Sequence, residues 1–239
     1  RPPQLVVVRL SDDRLTVSVD SSGTILHKRG YRQAVAKAPL RETLAAAILM
    51  ASGWDKQSPL LDPFCGSGTI PIEAALMALG IPPGIHRRFA FMDWPNFDEQ
   101  LWISIRTPLT INHNPSLTIL ASDRDAGAIK MARENAARAG VADCIEFKCQ
   151  AVSSITPPAQ KGWVVTNPPY GRRVRSGADL RNLYAQFSNV LREKCPGWNL
   201  SVLCSDPALL GQMQLRLDTT LGFVNGGLRV RLGRGTADR

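Results

Sequence analysis

PLLDPFCGSGTIPIEAAL, residues 59–76, decides the fold. Its first six residues, PLLDPF (59–64), form a short apolar run and predict a strand. Thr69–Leu79 predicts a helix closed by Gly80. Between the two, Gly66 and Gly68 allow a tight turn and a close approach of backbone to a ligand. Strand, glycine turn and helix, in that order, make the ligand-binding unit of an open α/β sheet. It is not a phosphate loop, because the GxxxxGK pattern is absent. Nor is it a dinucleotide GxGxxG, since Ile70 and Pro71 follow where that pattern would run on to its last glycine.

The rhythm repeats outward from this stretch. LTILASD (117–123) predicts a strand, Asp125–Ala139 a helix closed by Gly140, and CIEFKC (144–149) and GWVVTN (162–167) two further strands. A helix over about 179–194 and a strand NLSVLCS (199–205) with a short helix after it follow. Upstream, residues 39–53 predict a helix with Pro39 near its start and Gly53 as its stop. Strands alternating with helices predict an α/β fold with a mostly parallel, doubly wound sheet. The closing LGFVNGGLRVRLGR has an Asn-Gly turn between apolar-alternating segments, and so adds a C-terminal antiparallel hairpin. QLVVVRL (4–10) and RLTVSVD (14–20) around Ser11-Asp12-Asp13 predict another hairpin at the front. Residues 80–116 break the rhythm with Pro82, Pro83, Pro95, Pro108, Pro115, Trp94 and Trp102, and read as an insertion packed over the sheet. The expected organisation is a hairpin and basic connector over 1–30, then one α/β domain over 31–239. The chain opens without Met, and a preceding segment is expected.

Composition narrows the class. The 239 residues carry a net charge of +9, and of 29 basic residues only seven are Lys. Arg forks match phosphate geometry and stack on bases, so the balance points to a polyanionic partner, with a solvated basic surface as the plain alternative. Five scattered cysteines and three histidines form no CxxC pair and no zinc spacing, so neither a disulfide framework nor a metal is expected. No apolar run nears the roughly 20 residues needed to span a bilayer, and no secretory leader is visible. A cytoplasmic location without membrane contact is the expectation.

Three motifs carry the chemistry. In DPFCGSGT (62–69), Thr69 sits where the helix begins, so helix amides point at the ligand and favour a carboxylate. S-adenosylmethionine (SAM) has one, with an amino group and a sulfonium nearby, and Asp62 suits that cationic side. Glu73, one turn on, either complements the helix dipole or meets the ligand. The second motif is ASDRD (121–125), where Asp123 is placed to accept from ribose hydroxyls and Asp125 can cap the next helix. The third is NPPY (167–170), directly after an apolar strand. Two prolines stiffen the turn and lack N–H groups. That leaves the Asn167 side-chain oxygen and the Pro168 carbonyl as preorganised acceptors for both hydrogens of an exocyclic amine. Pro169 completes the rigid turn, and Tyr170 offers an aromatic face to an unstacked base. Such a site would work by positioning and electrostatics, without a covalent nucleophile.

Taken together, DPFCGSGT and NPPY resemble the amino-methyltransferases. HKRGYR (27–32), APLRETLAAAIL (38–49), DPFCGSGTIPIEAAL (62–76), RRFAFMDW (87–94), the NA-x-x-AG helix end (135–140) and NPPYGRR (167–173) resemble the THUMP-linked RNA guanine-N2 methyltransferases. That resemblance implies a Rossmann-like, class I SAM-dependent fold and an N2-methylguanosine product in ribosomal or transfer RNA. It places cofactor residues at Asp62, Phe64, Gly66, Gly68 and Asp123, and the catalytic motif at Asn167, Pro168, Pro169 and Tyr170. One position departs: the family has an Asp after the strand at 144–149, where this chain has Ala151, leaving Gln150 or backbone groups to meet the adenine. Basic residues near the motifs, Arg29, Arg32, Arg87, Arg88, Arg172, Arg173 and Arg175, are placed to track an RNA backbone. A DNA adenine-N6 methyltransferase uses similar motifs, a protein glutamine methyltransferase also carries NPPY, and a nucleic-acid-binding module without activity is the reading from another class.

Overall fold

Parallel strands need long crossovers between them, and this chain supplies helices for that purpose. The computed structural model describes residues 3–33, 40–106, 117–170 and 177–238. Among these residues a seven-stranded sheet runs in the order β5-β4-β3-β6-β7-β9-β8. Its strands are β3 (Leu60–Asp62), β4 (Ile119–Asp123), β5 (Ile145–Cys149), β6 (Trp163–Thr166), β7 (Asn199–Cys204), β8 (Gly222–Asn225) and β9 (Leu228–Thr236). The first five strands in chain order are parallel, and β9 pairs antiparallel with both β7 and β8. The Rossmann-like α/β fold with a closing antiparallel hairpin is therefore present as read. The hairpin turn at Gly226 and Gly227 takes positive φ at both positions, which is what an Asn-Gly-Gly sequence permits.

The strand order reverses between β3 and β6. From β3 the chain moves outward to β4 and β5, then returns to the other side of β3. Right-handed crossovers then place helices on opposite faces of the sheet. α2 (Thr69–Ala78) packs with α1 (Glu42–Ala51) and α4 (Ala126–Arg138), while α5 (Gly177–Lys194) packs with α6 (Pro207–Gln212). The core between these layers includes Ile48, Leu60, Ile72, Ile119, Tyr184, Phe187, Leu191 and Trp198, each at most 1% exposed. Pro39, the expected start of the first helix, lies outside the described residues.

The front hairpin, β1 (Val6–Ser11) and β2 (Arg14–Val19), forms a separate two-stranded sheet. All twelve of its positions are exposed. The insertion holds a short 3-10 turn, Ala90–Asp93, and a helix, α3 (Glu99–Arg106), that the sequence reading did not separate. Hydrogen bonds tie its described part to the segment that follows the hairpin and to Gln4 before it. Phe91 N–H donates to the Ser21 carbonyl, the Trp94 indole donates to Gln4, and Arg87 donates to the Thr24 and Ile25 carbonyls. Phe89, Phe91, Phe97 and Trp102 pack ring against ring within it. That aromatic cluster gives the insertion its own small core.

Candidate active site

The reversal point is where α/β folds bind ligands, beyond the carboxyl ends of the strands. Both chemistry-bearing turns leave neighbouring strands there. Asp62 ends β3 and is 1% exposed. Its Oδ1 accepts from the Thr166 hydroxyl at 2.6 Å and from the Phe64 amide at 3.2 Å. Thr166 ends β6 and directly precedes Asn167, so this one bond ties the glycine-turn strand to the NPPY strand. Burial pushes the Asp62 carboxyl up to about 7, with the Asp123 charge adding to the rise and the Thr166 and Phe64 donors opposing it. Asp123 ends β4, and its two oxygens accept from the Gly66 and Asp125 amides, each at 3.0 Å. The Cys65 amide donates to the Ser122 carbonyl at 3.0 Å. The glycine turn is thus pinned to β4 at two successive residues.

The two glycines do different work. Gly66 has φ +53° and nothing within 4 Å of where a side chain would point, so its backbone faces open space. Gly68 has φ +85°, and an added Cβ would lie 3.0 Å from Ala132 Cβ on α4. It lets the helix close onto the turn and does not line the cleft.

The cleft has a volume of about 730 Å³. One wall is the glycine turn with Asp62, Phe64, Gly66 and Thr69; a second is Asp123, Gln150 and Ala151; a third is Asn167, Pro168 and Pro169. Phe64 is held edge-on against Phe187 of α5, with ring centroids 5.1 Å apart. The fourth wall, Leu180, Asn182, Leu183 and Gln186 of α5, was missed by the motif reading. Its signal is faint: two polar residues four apart, beside two leucines three apart, on one helix face. Asn167 Oδ1 is buried and has no hydrogen-bond partner among the described residues. A buried acceptor left unpaired costs about 1–3 kcal/mol, and it is ready for an N–H donor from a ligand. Cys65 also lines the cleft, but burial pushes its thiol well above the ordinary range, so it is a poor nucleophile. Among the described residues no group of three or more His, Cys, Asp or Glu could hold a metal ion.

Residues 29–231 match the family model of the RMKL-like methyltransferase domain. The chain belongs to this family. A ribosomal RNA large subunit methyltransferase K/L of Shewanella baltica is 42% identical over 222 residues, covering 90% of this chain and 31% of that protein. The chain therefore spans about a third of the length of the curated relatives it matches. A solved structure described as SMU.472, a methyltransferase candidate complexed with SAH, superposes with a TM-score of 0.90 at 32% identity, covering 99% of this chain and 62% of that one. A predicted N6-adenine-specific DNA methylase from Listeria monocytogenes superposes with a TM-score of 0.79 at 34% identity, covering 95% and 60%.

Within this family domain the expected residues fall into three groups. Asp62, Phe64, Gly66, Thr69, Asp123, Asn167, Pro168 and Pro169 come together around the cleft. Tyr170 does not join them as a base platform: its ring is 1% exposed, and Asn225 from the β8–β9 turn donates to its hydroxyl at 3.3 Å. Arg29 and Arg32 are also placed differently from the RNA-facing role expected of them. Their side chains are 9% and 12% exposed and pair with Glu73 at 3.2 Å and Glu42 at 3.1 Å. A guanidinium enclosed with a carboxylate has no face left for a phosphate. Glu73 is in turn neither a surface residue nor a cleft residue; it is 1% exposed and also accepts from the Tyr31 hydroxyl at 2.7 Å. Asp125 takes its capping option, accepting from the Gly127 amide. Arg172, Arg173 and Arg175 lie outside the described residues.

Proposed function

We propose that the chain is the catalytic domain of an RNA methyltransferase that uses SAM and methylates an exocyclic amine, N2 of guanosine in ribosomal or transfer RNA. The observation that carries this reading is Asn167, which stands on a rigid Pro-Pro turn, lines the same cleft as the glycine turn and has a buried Oδ1 without a hydrogen-bond partner among the described residues. The cleft fits SAM on the chemistry of its donors. Asp62 would hold the amino group, the amides at the start of α2 the carboxylate, and Asp123 the ribose hydroxyls. Gly66 keeps the space beside them open. The adenine would lie against Gln150 and Ala151, where backbone groups replace the missing Asp.

When bound, SAM would supply an electrophilic methyl group for an amine nitrogen, with S-adenosylhomocysteine as the leaving group and the amine proton lost to solvent. Asn167 Oδ1 and the Pro168 carbonyl would accept the amine hydrogens and so orient the nitrogen lone pair toward the donor. Their contribution is orientation and fixed dipoles. Tyr170 supports the turn from beneath, through Asn225. Arg172 and Arg173 are proposed to track the RNA backbone, and residues 1–30 to form the margin of an RNA-binding module. The ribosomal RNA named for the relatives, and the basic balance of this chain, support RNA over DNA. Among the described residues no helix is long and apolar enough to cross a membrane, and a cytoplasmic setting is proposed with the RNA substrate.

The test is incubation with methyl-labelled SAM and unmodified RNA or DNA, followed by digestion to nucleosides. Label in N2-methylguanosine from RNA is expected. Label in N6-methyladenine from DNA would move the substrate to that of the methylase that the Listeria structure is named for. In RNA-binding titrations at several salt concentrations, Arg172→Ala/Arg173→Ala should weaken binding and flatten its salt dependence; unchanged affinity across salt would sink their role.

A further inference from the structure

The cleft accounts for neither the buried pairs of the 29–32 connector nor the asparagine at the end of α4. Both belong to one connected set of polar contacts. Arg29 and Tyr31 converge on Glu73, at 3.2 Å and 2.7 Å. Glu73 stands on α2, the helix that begins at the glycine turn. The Tyr31 carbonyl accepts from Arg138 Nε at 2.8 Å. Arg138 also donates to Asn135 Oδ1. Asn135 is 0% exposed, and its Nδ2 donates to the carbonyl of Ser67 at 3.0 Å. Ser67 lies between Gly66 and Gly68 and lines the cleft. The connector is therefore bonded to both helices that flank the turn, to α2 through Glu73 and to α4 through Arg138.

The turn needs such support. It carries two left-handed glycines, which leave the chain much conformational freedom. Its Gly66 side is pinned by Asp123. Its Ser67–Gly68 side is held by α4, through Ala132 packing and the Asn135 bond. The Gly68 amide also donates to the Cys65 carbonyl at 2.8 Å, a bond within the turn, so without Asn135 the Ser67–Gly68 peptide loses its hydrogen bond to α4 and is held from within the turn and by the Ala132 contact.

We propose that Asn135, Arg138 and Tyr31 are positioning residues for the cofactor, and that the connector at 29–32 acts through them to set the geometry of the glycine turn. This rests on the cofactor reading above. It makes the connector a handle on cofactor affinity: whatever displaces the connector loosens the turn, and by reciprocity a cofactor in the cleft steadies the connector.

The test uses Asn135→Ala and Tyr31→Phe in the whole chain, with three readouts. They are S-adenosylhomocysteine affinity by calorimetry, hydrogen exchange at the 66–69 amides without ligand, and thermal unfolding. Asn135→Ala is expected to weaken S-adenosylhomocysteine binding about tenfold. It should speed exchange at 66–69 and raise KM for SAM with kcat held. Tyr31→Phe keeps the ring and should show the same pattern at about threefold; it decides the matter if Asn135→Ala fails to fold. Folded variants that bind within twofold of wild type and exchange no faster at the turn would overturn the proposal, even with a lowered melting temperature. If the wild type itself binds no S-adenosylhomocysteine, the cofactor reading fails, and exchange at the turn still reports on the clamp.

Discussion

Asp62 and Glu73 are carboxyl groups that burial raises from ordinary values of 3.8 and 4.5 to about 7. The folded protein then holds more protons than the unfolded chain between those values, so these two groups favour folding at acid pH and withdraw that support as pH rises through 7. A cation at Asp62 changes the balance, because it favours the ionised form. Affinity for S-adenosylhomocysteine is therefore expected to rise between pH 6 and 8, and Asp62→Asn to flatten that rise. A wild-type affinity independent of pH, measured by calorimetry, would refute the assignment of Asp62 to the amino group. Asn167→Ala removes an acceptor aimed at the amine and should lower kcat about 100-fold, with S-adenosylhomocysteine affinity kept. Equal losses in both would mean that the residue holds the fold instead. Residues at strand ends beside turn glycines were legible in the sequence, because few physical reasons put Asp or Asn there. Thr166 was not, since a threonine in an apolar strand reads as an ordinary β former. Arg29 and Arg32 were misplaced for a related reason: charge shows in a sequence, but the carboxylate that encloses it, Glu73 on α2 for Arg29 and Glu42 on α1 for Arg32, does not.

The elements followed from periodicity where the chain alternates cleanly. The helices after β3 and β4 and the antiparallel close stand within a few residues of the reading. α3 was hidden by the prolines around it, although Asp98 caps it by accepting from the Leu101 amide. Register is the stricter matter at this scale. Gly162 opens β6 where β3 and β7 converge, and an added Cβ would lie 2.7 Å from the Pro59 carbonyl and 2.6 Å from the Trp198 ring. The Pro59 carbonyl also accepts from the Trp163 amide at 2.9 Å, so neither neighbour can yield without shifting a strand. Gly162→Ala is expected to destabilise the domain by about 1–3 kcal/mol in denaturant unfolding. A loss below about 0.5 kcal/mol, the range of ordinary surface changes, would show that the strands slide more freely than this packing allows.

Across the whole molecule, the reversal of strand order gathers into one cleft two motifs whose strand-end residues Asp62 and Thr166 are 104 positions apart, a convergence that the resemblance implied and strand alternation left open. What alternation could not give is which surface stays open. Leu5, Val6, Val7, Val8, Leu10, Leu15, Val17 and Val19 are each at least 46% exposed on β1, β2 and their approach. Apolar surface on that scale promotes association. Val8 and Val17 face each other across the ladder. Changing both to Thr should leave thermal unfolding within about 0.5 kcal/mol and lower concentration-dependent association in sedimentation; a large fall in stability would mean that the hairpin is packed in solution. The Asn225 contact has a consequence in time. It lies 55 residues beyond Tyr170, and β9, which covers the edge of β7, comes later still. At roughly 5–20 residues per second, the ribosome completes the NPPY turn several seconds before it makes the residue that braces it. The half-made domain then carries an unbraced turn and an uncovered β7, and a pause in translation within that window would lengthen its exposure to misfolding.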